Sequence, residues 1–132
     1  YHPTQEQMDL AHAAIDAGAD IVWGSHPHVL QPIEEYKDGL ILYSMGNFCF
    51  GGNGAPEDLD TVLIQQEVVK TPDGRVSLGK QKVVPCSIGS APGKNNYQPT
   101  PLDVDSEGYG RVLRKLEGTF SGPNLKIRKI GK

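Results

Sequence analysis

The first 24 residues contain the pattern that most restricts the fold, a capped helix followed by a glycine turn and a short apolar strand. Thr4 and Gln7 fit a capping box, in which the two side chains satisfy free backbone N–H groups at the helix start. Apolar residues recur at helical spacing as far as Ile15, and Gly18 supplies a left-handed stop. The run ADIVWG at residues 19–24 then predicts a buried strand. Together they form an αβ unit, which is typical of a parallel or mixed sheet.

Two histidines follow this strand directly, in the segment GSHPHVLQ. Ligands bind at the carboxyl ends of strands in open α/β sheets, and imidazole is a common metal ligand. Pro27 fixes its own backbone and favours an extended conformation at His26, which stiffens the loop. The pattern predicts His26 and His28 as metal ligands, and a histidine-rich surface loop without metal is the alternative. Asp20 and Asn47 are the only further donors that the neighbouring sequence suggests.

The segment Ser44-Met45-Gly46-Asn47 follows the apolar run at residues 40–43, and its polar residues could form either a turn or part of the site. A Gly-Asn pair predicts a tight turn with Asn47 in the left-handed conformation. The alternative is that Asn47 orients His26 or His28 by a hydrogen bond, with Ser44 as another polar group beside the ligands or the substrate. No base stands at a diagnostic spacing from Ser44, so no catalytic residue is assigned.

The rest of the chain predicts mainly antiparallel strands. The expected elements are a hairpin turning at 37–39, a glycine-rich loop at 51–60, strands at 61–69 and 75–85, a helix at 107–116 and a last strand at 125–130. Alternation in Val62, Ile64 and Val68 predicts that the strand pair buries one face. The predicted fold class is α+β, or half of an α/β sandwich, with a helix–strand unit followed by antiparallel strands.

Composition sets broad limits on the function. A chain of 132 residues forms one domain or part of one, and its net charge of −3 gives no indication of nucleic-acid binding. No apolar run approaches the roughly 20 residues of a membrane span. The chain begins with Tyr1 rather than Met, which predicts a processed or truncated product. Cys49 and Cys86 are expected to be a buried pair of free thiols, with a disulfide as the alternative.

The segment GADIVWGSHPHVLQPIEEYKDGLILYSMGNF resembles the C-terminal signature of the CapA family, the poly-γ-glutamate capsule-synthesis proteins of the calcineurin-like metallophosphatase superfamily. The patch NNYQPTPL at residues 95–102 is also similar to members of this family. The resemblance implies that residues 1–132 are a single domain or the C-terminal fragment of a larger domain. That larger domain would be a four-layer α/β/β/α sandwich.

The resemblance also implies a dinuclear site for divalent metal ions, to which His26 and His28 contribute. The other ligands of such a site lie on earlier motifs that this sequence lacks, so the chain alone is expected to be inactive. The full-length protein would hydrolyse a phosphoester or γ-glutamyl bond during capsule biosynthesis. The alternatives are a non-catalytic binding or scaffolding module of the capsule export machinery, and an unrelated structural domain with an incidental His-Pro-His.

Partners and location follow from the same resemblance. The implied partner is an anionic polymer or a phosphoester substrate, bound through the full-length protein, with no nucleic acid. The implied location is the cell surface, or a membrane-anchored extracellular position. An exposed sheet edge, where the missing half of the sandwich belongs, predicts a homodimer.

Overall fold

The computed structural model describes residues 1–52 and 54–122, which contain two helices and two three-stranded sheets. In chain order the elements are α1 Gln5–Asp16, β1 Ile21–Trp23, β2 Ile33–Tyr36, β3 Gly39–Leu42, β4 Asp60–Lys70, β5 Val76–Ser87, β6 Thr100–Pro101 and α2 Glu107–Leu116. The predicted α+β class is confirmed, and the arrangement is consistent with half of a sandwich. The predicted strand at 125–130 lies outside the described residues.

The first sheet has the order β1-β3-β2, with β1 parallel to β3 and β2 antiparallel to it. The predicted capping box starts α1, because Thr4 and Gln7 exchange hydrogen bonds of 2.9 and 3.3 Å. Helix α1 then packs Ala11 and Ile15 against Ile41 of the sheet. The parallel pairing brings the carboxyl ends of β1 and β3 to the same edge of the sheet.

Of the predicted buried strand at 19–24, residues Ile21–Trp23 form β1, and the expected burial was wrong because Ile21 and Val22 are only half-buried. Trp23 is 60% exposed, and among the described residues β1 pairs with β3 alone. Helix α1 covers the face that carries Val22, and Trp23 is not part of that core cluster. Within residues 1–52 and 54–122, this apolar run therefore forms an edge strand of the first sheet.

The second sheet has the order β4-β5-β6 and is antiparallel throughout. The predicted burial of one face holds for Val62, which packs with Leu30, Val112 and Leu116. It fails for Val68, which is 52% exposed. The register shifts between Gln66 and Val68, and the second core cluster covers only the half of the hairpin before that shift.

The two cysteines are free thiols, so the disulfide alternative is excluded. Cys86 is buried on β5, and burial raises the pKa of its thiol. Cys49 is exposed, so the expectation of a buried pair was wrong for that residue. Among the helices of the described residues, none combines the length and apolar character needed to cross a bilayer.

Candidate metal centre

The histidine segment is fixed at both of its ends. At its start, the Gly24 N–H donates to the Leu42 carbonyl at 2.7 Å, and a Cβ on Gly24 would lie 2.2 Å from the Tyr43 carbonyl oxygen. At its end, Leu30 is fully buried and forms an isolated bridge with Met45. Full burial of a leucine side chain stabilises a fold by roughly 1.5–3 kcal/mol. The segment is therefore a closed loop between two anchors.

Both histidines of this loop adopt left-handed backbone conformations. The φ angle is 98° at His26 and 60° at His28. The expectation that Pro27 keeps His26 extended was wrong, because the chain must reverse between its two anchors within a few residues. A non-glycine residue held in this region costs on the order of 1–3 kcal/mol, and such residues cluster at functional sites. Both side chains are exposed, and their ring centroids lie 6.4 Å apart.

His28 is held by Asn47, which is 7% exposed and lies beyond β3. The Asn47 Nδ2 donates to the His28 carbonyl at 3.3 Å, which turns the amide so that its Oδ1 faces the ring. That Oδ1 lies 2.6 Å from His28 Nδ1. Because an amide oxygen only accepts hydrogen bonds, Nδ1 carries a proton, and in the neutral imidazole Nε2 is then the nitrogen with the lone pair. Within the described residues, no hydrogen bond to Nε2 is formed.

The turn at residues 44–47 differs from the prediction in one respect. Gly46 takes the left-handed conformation with φ 69°, and Asn47 does not. Gly46 thereby frees Asn47 to direct its side chain at His28. Ser44 is 2% exposed, and its Oγ accepts from the Gly46 N–H at 3.3 Å. Ser44 thus supports the turn, and no hydrogen bond between its side chain and either histidine occurs in the described part of the chain.

One contact of the site was not predicted from the sequence. The ring of Phe50 lies 4.7 Å from the ring of His28, measured between centroids, at an angle of 49°. Phe50 follows Asn47 by three residues. The short apolar run Phe48-Cys49-Phe50, which precedes a glycine-rich loop, was the sequence feature that could have indicated an aromatic contact near the histidines. The histidine ring is thus contacted at its edge by Asn47 and by an aromatic ring.

The donor set fits part of a metal site. Imidazole donors suit transition-metal ions such as zinc and iron, and a metal-bound histidine ordinarily has its second nitrogen hydrogen-bonded, as His28 has. In residues 1–52 and 54–122, however, no group of three or more histidine, cysteine or acidic side chains is placed to hold an ion. Asp20 precedes β1, whereas the histidines follow it, so Asp20 does not join them. His26 and His28 supply two donors, and a complete site needs others.

A second polar cluster was missed by the sequence reasoning. Lys115, which is 2% exposed, donates from Nζ to Asp58 and to Asp60 at 2.7 Å each. Arg111 binds Asp60 with two further hydrogen bonds of 2.7 Å. Burial raises the pKa of the Asp60 carboxyl, but the bonds from Arg111 and Lys115 outweigh it, so that pKa lies below its usual range. The sequence did offer a signal for the burial of Lys115. It lies next to Leu116 and three residues after Val112, so helical spacing places it on the apolar face of α2.

The comparisons with known proteins address the family. Residues 1–52 match the family described as "Bacterial capsule synthesis protein PGA_cap". The chain is 40% identical over 114 residues to the PGA biosynthesis protein CapA of Bacillus subtilis, covering 86% of this chain and 27% of that protein. It is 51% identical over 63 residues to the capsule biosynthesis protein CapA of Bacillus anthracis, covering 48% of this chain and 15% of that protein.

The predicted resemblance to the CapA family is confirmed. The PGA_cap match includes α1, the first sheet, the histidine loop and Asn47. An uncharacterised protein of Sinorhizobium fredii is also 43% identical over 58 residues, or 44% of this chain and 13% of that protein. The chain spans about a quarter or less of the length of the CapA relatives.

Proposed function

We propose that this chain contributes His26 and His28 to a divalent-metal site in a CapA-type protein of capsule biosynthesis. The observation that carries the proposal is the state of His28. Its Nδ1 is hydrogen-bonded to a buried amide oxygen at 2.6 Å, which leaves Nε2 as the metal-binding nitrogen of the neutral ring, and the ring centroid of His26 lies 6.4 Å away. This is the orientation in which a histidine binds a metal ion.

The names of the relatives support the assignment to capsule biosynthesis. Two Bacillus proteins that share 40% and 51% identity with parts of the chain are named for biosynthesis of PGA or of capsule. We therefore assign the full-length protein to poly-γ-glutamate capsule synthesis at the cell surface, either as a surface protein or as one anchored in the membrane from outside. Its substrate is an anionic polymer or a phosphoester.

The two histidines and Asn47 have distinct parts in the proposed hydrolysis. His26 and His28 would hold the ions, and Asn47 keeps the proton of His28 on Nδ1 so that Nε2 stays available. The strained loop keeps both rings at the carboxyl edge of the first sheet. When bound, two divalent ions supply polarisation of the scissile ester or amide and activation of a water molecule. The remaining ligands belong to other parts of the full-length protein.

The test is a hydrolysis assay of the full-length protein with Mn²⁺, using poly-γ-glutamate and bis(p-nitrophenyl) phosphate as probes. We expect cleavage of one of the two probes. His28→Gln should lower kcat/KM by more than about 100-fold, because loss of a metal ligand should exceed the roughly 10–100-fold effect of losing a residue that only supports a ligand. His12→Gln is the matched control, because His12 contacts Glu34 and lies away from the loop. Unchanged hydrolysis in His28→Gln would contradict the proposal. Polymer binding without hydrolysis would favour the scaffolding alternative.

A further inference from the structure

We propose that Asn95 is a positioning residue for His28 and acts through Phe50. The inference rests on the proposed function for its importance, but its structural part is independent of any metal. It concerns the start of the NNYQPTPL segment, which is distant in sequence from the histidine loop.

Asn95 holds both ends of the 50–54 loop. It is 6% exposed. Its side-chain Nδ2 donates to the Phe50 carbonyl at 3.0 Å, and its backbone N–H donates to the Gly54 carbonyl at 3.1 Å. Its Oδ1 accepts from the Tyr97 N–H at 3.0 Å, which orients the amide. A single buried residue thus closes the loop, and a buried polar group of this kind is costly to leave without its partner.

Phe50, whose backbone carbonyl Asn95 binds, also contacts the ring of His28. One side of the Phe50 ring is near Gly52, where an added Cβ would lie 2.6 Å from Phe50 Cζ. The ring centroid of His28 lies 4.7 Å from that of Phe50. The Phe50 ring is therefore close both to the backbone at Gly52 and to the imidazole of His28. Its position depends on the backbone of residue 50, whose carbonyl Asn95 binds.

The consequence for His28 is a second restraint. Asn47 fixes Nδ1, and a hydrogen bond at one atom still allows the imidazole to tilt about that bond. Phe50 opposes this tilt by contact with the ring. Removing the Asn95 donor should release residue 50, let Phe50 move, and widen the range of directions in which His28 Nε2 points. Supporting residues of this type change metal affinity by about 10–100-fold.

The test uses Asn95→Asp, which keeps the acceptor for the Tyr97 N–H and removes the donor to Phe50. Asn96→Asp is the matched control, because it makes the same charge change on the exposed neighbour, whose side chain contacts Ser90. Gly52→Ala displaces Phe50 by an independent route. The measurements are the ring chemical shifts of ¹³C-labelled histidines in the metal-free full-length protein, followed by its Mn²⁺ affinity.

We expect Asn95→Asp and Gly52→Ala to move the His28 shifts as Phe50→Leu does, to leave His2 and His12 unchanged, and to weaken Mn²⁺ binding about tenfold. Asn96→Asp should match the wild type in both measurements. Unchanged His28 shifts in both variants, or moved shifts with wild-type Mn²⁺ affinity, would overturn the inference. A wild-type protein that binds no Mn²⁺ would instead overturn the proposed function, and with it the effect on affinity, even if the His28 shifts still move.

Discussion

Asn47 determines which nitrogen of His28 is available. Its amide is oriented by the His28 carbonyl, so the oxygen that faces the ring accepts a hydrogen bond from the Nδ1–H group. The same side chain therefore fixes the tautomer and the direction of Nε2. The turn before Asn47 is made by Gly46, which takes the left-handed backbone conformation that glycine adopts at little cost.

Replacing Asn47 by alanine should lower the Mn²⁺ affinity of the full-length protein by about 10–100-fold, because His28 loses the bond that fixes its tautomer. Isothermal titration calorimetry measures this change. Ser44→Ala is the control, since Ser44 is buried in the same turn and its Oγ accepts a hydrogen bond from the Gly46 N–H. It should keep the wild-type affinity while costing about 1 kcal/mol of stability. Equal affinities for Asn47→Ala and Ser44→Ala would refute the role of Asn47.

Helix α2 packs against the second sheet through buried charged groups as well as apolar contacts. Val112 and Leu116 of α2 pack on Leu30 and Val62, while Lys115 reaches Asp60 at the start of β4. Leu30 is also the residue that ends the histidine loop. The charge cluster therefore secures the helix on whose packing one anchor of that loop depends.

Asp60 makes the stability of this region dependent on pH. Its folded-state pKa lies below the ordinary value of 3.8, so its contribution is complete well above 3.8 and is lost as the pH falls through the folded value. Asp60→Asn should cost about 3–5 kcal/mol near neutral pH and flatten the loss of stability in acid. Hydrogen exchange of the α2 amides, measured at neutral and at acid pH, reports both the loss of stability and its changed pH dependence. The exposed Asp105→Asn is the control, and an Asp60→Asn variant as stable as that control would contradict this role.

At the scale of the whole molecule, local patterns predicted most of the elements. The capping box of α1, the hairpin turn at 37–39 and the helix at 107–116 depend on residues close in sequence, and all three are confirmed. The left-handed backbone at His26 was not predictable in this way. It results from anchors at Gly24 and Leu30 that are set by pairing with distant strands.

The missed parts of the site share the same cause. The contact of Phe50 with His28 and the bonds of Asn95 to the 50–54 loop join residues separated by 22 or more positions. No local pattern specifies such a meeting. The exposed end of β1 at Trp23 likewise depends on what packs beside the strand. The predicted homodimer through a sheet edge stays a prediction, and light scattering that shows a monomer would refute it.

The central claim is that His26 and His28 bind metal in the full-length protein. The most direct measurement is the metal content per chain after loading with Mn²⁺ and gel filtration, determined by inductively coupled plasma mass spectrometry. We predict that the double variant His26→Gln, His28→Gln loses at least one ion relative to the wild type, because two imidazole donors are removed together. The His12→Gln control should keep the wild-type content. A double variant that retains as much metal as the wild type would contradict the claim.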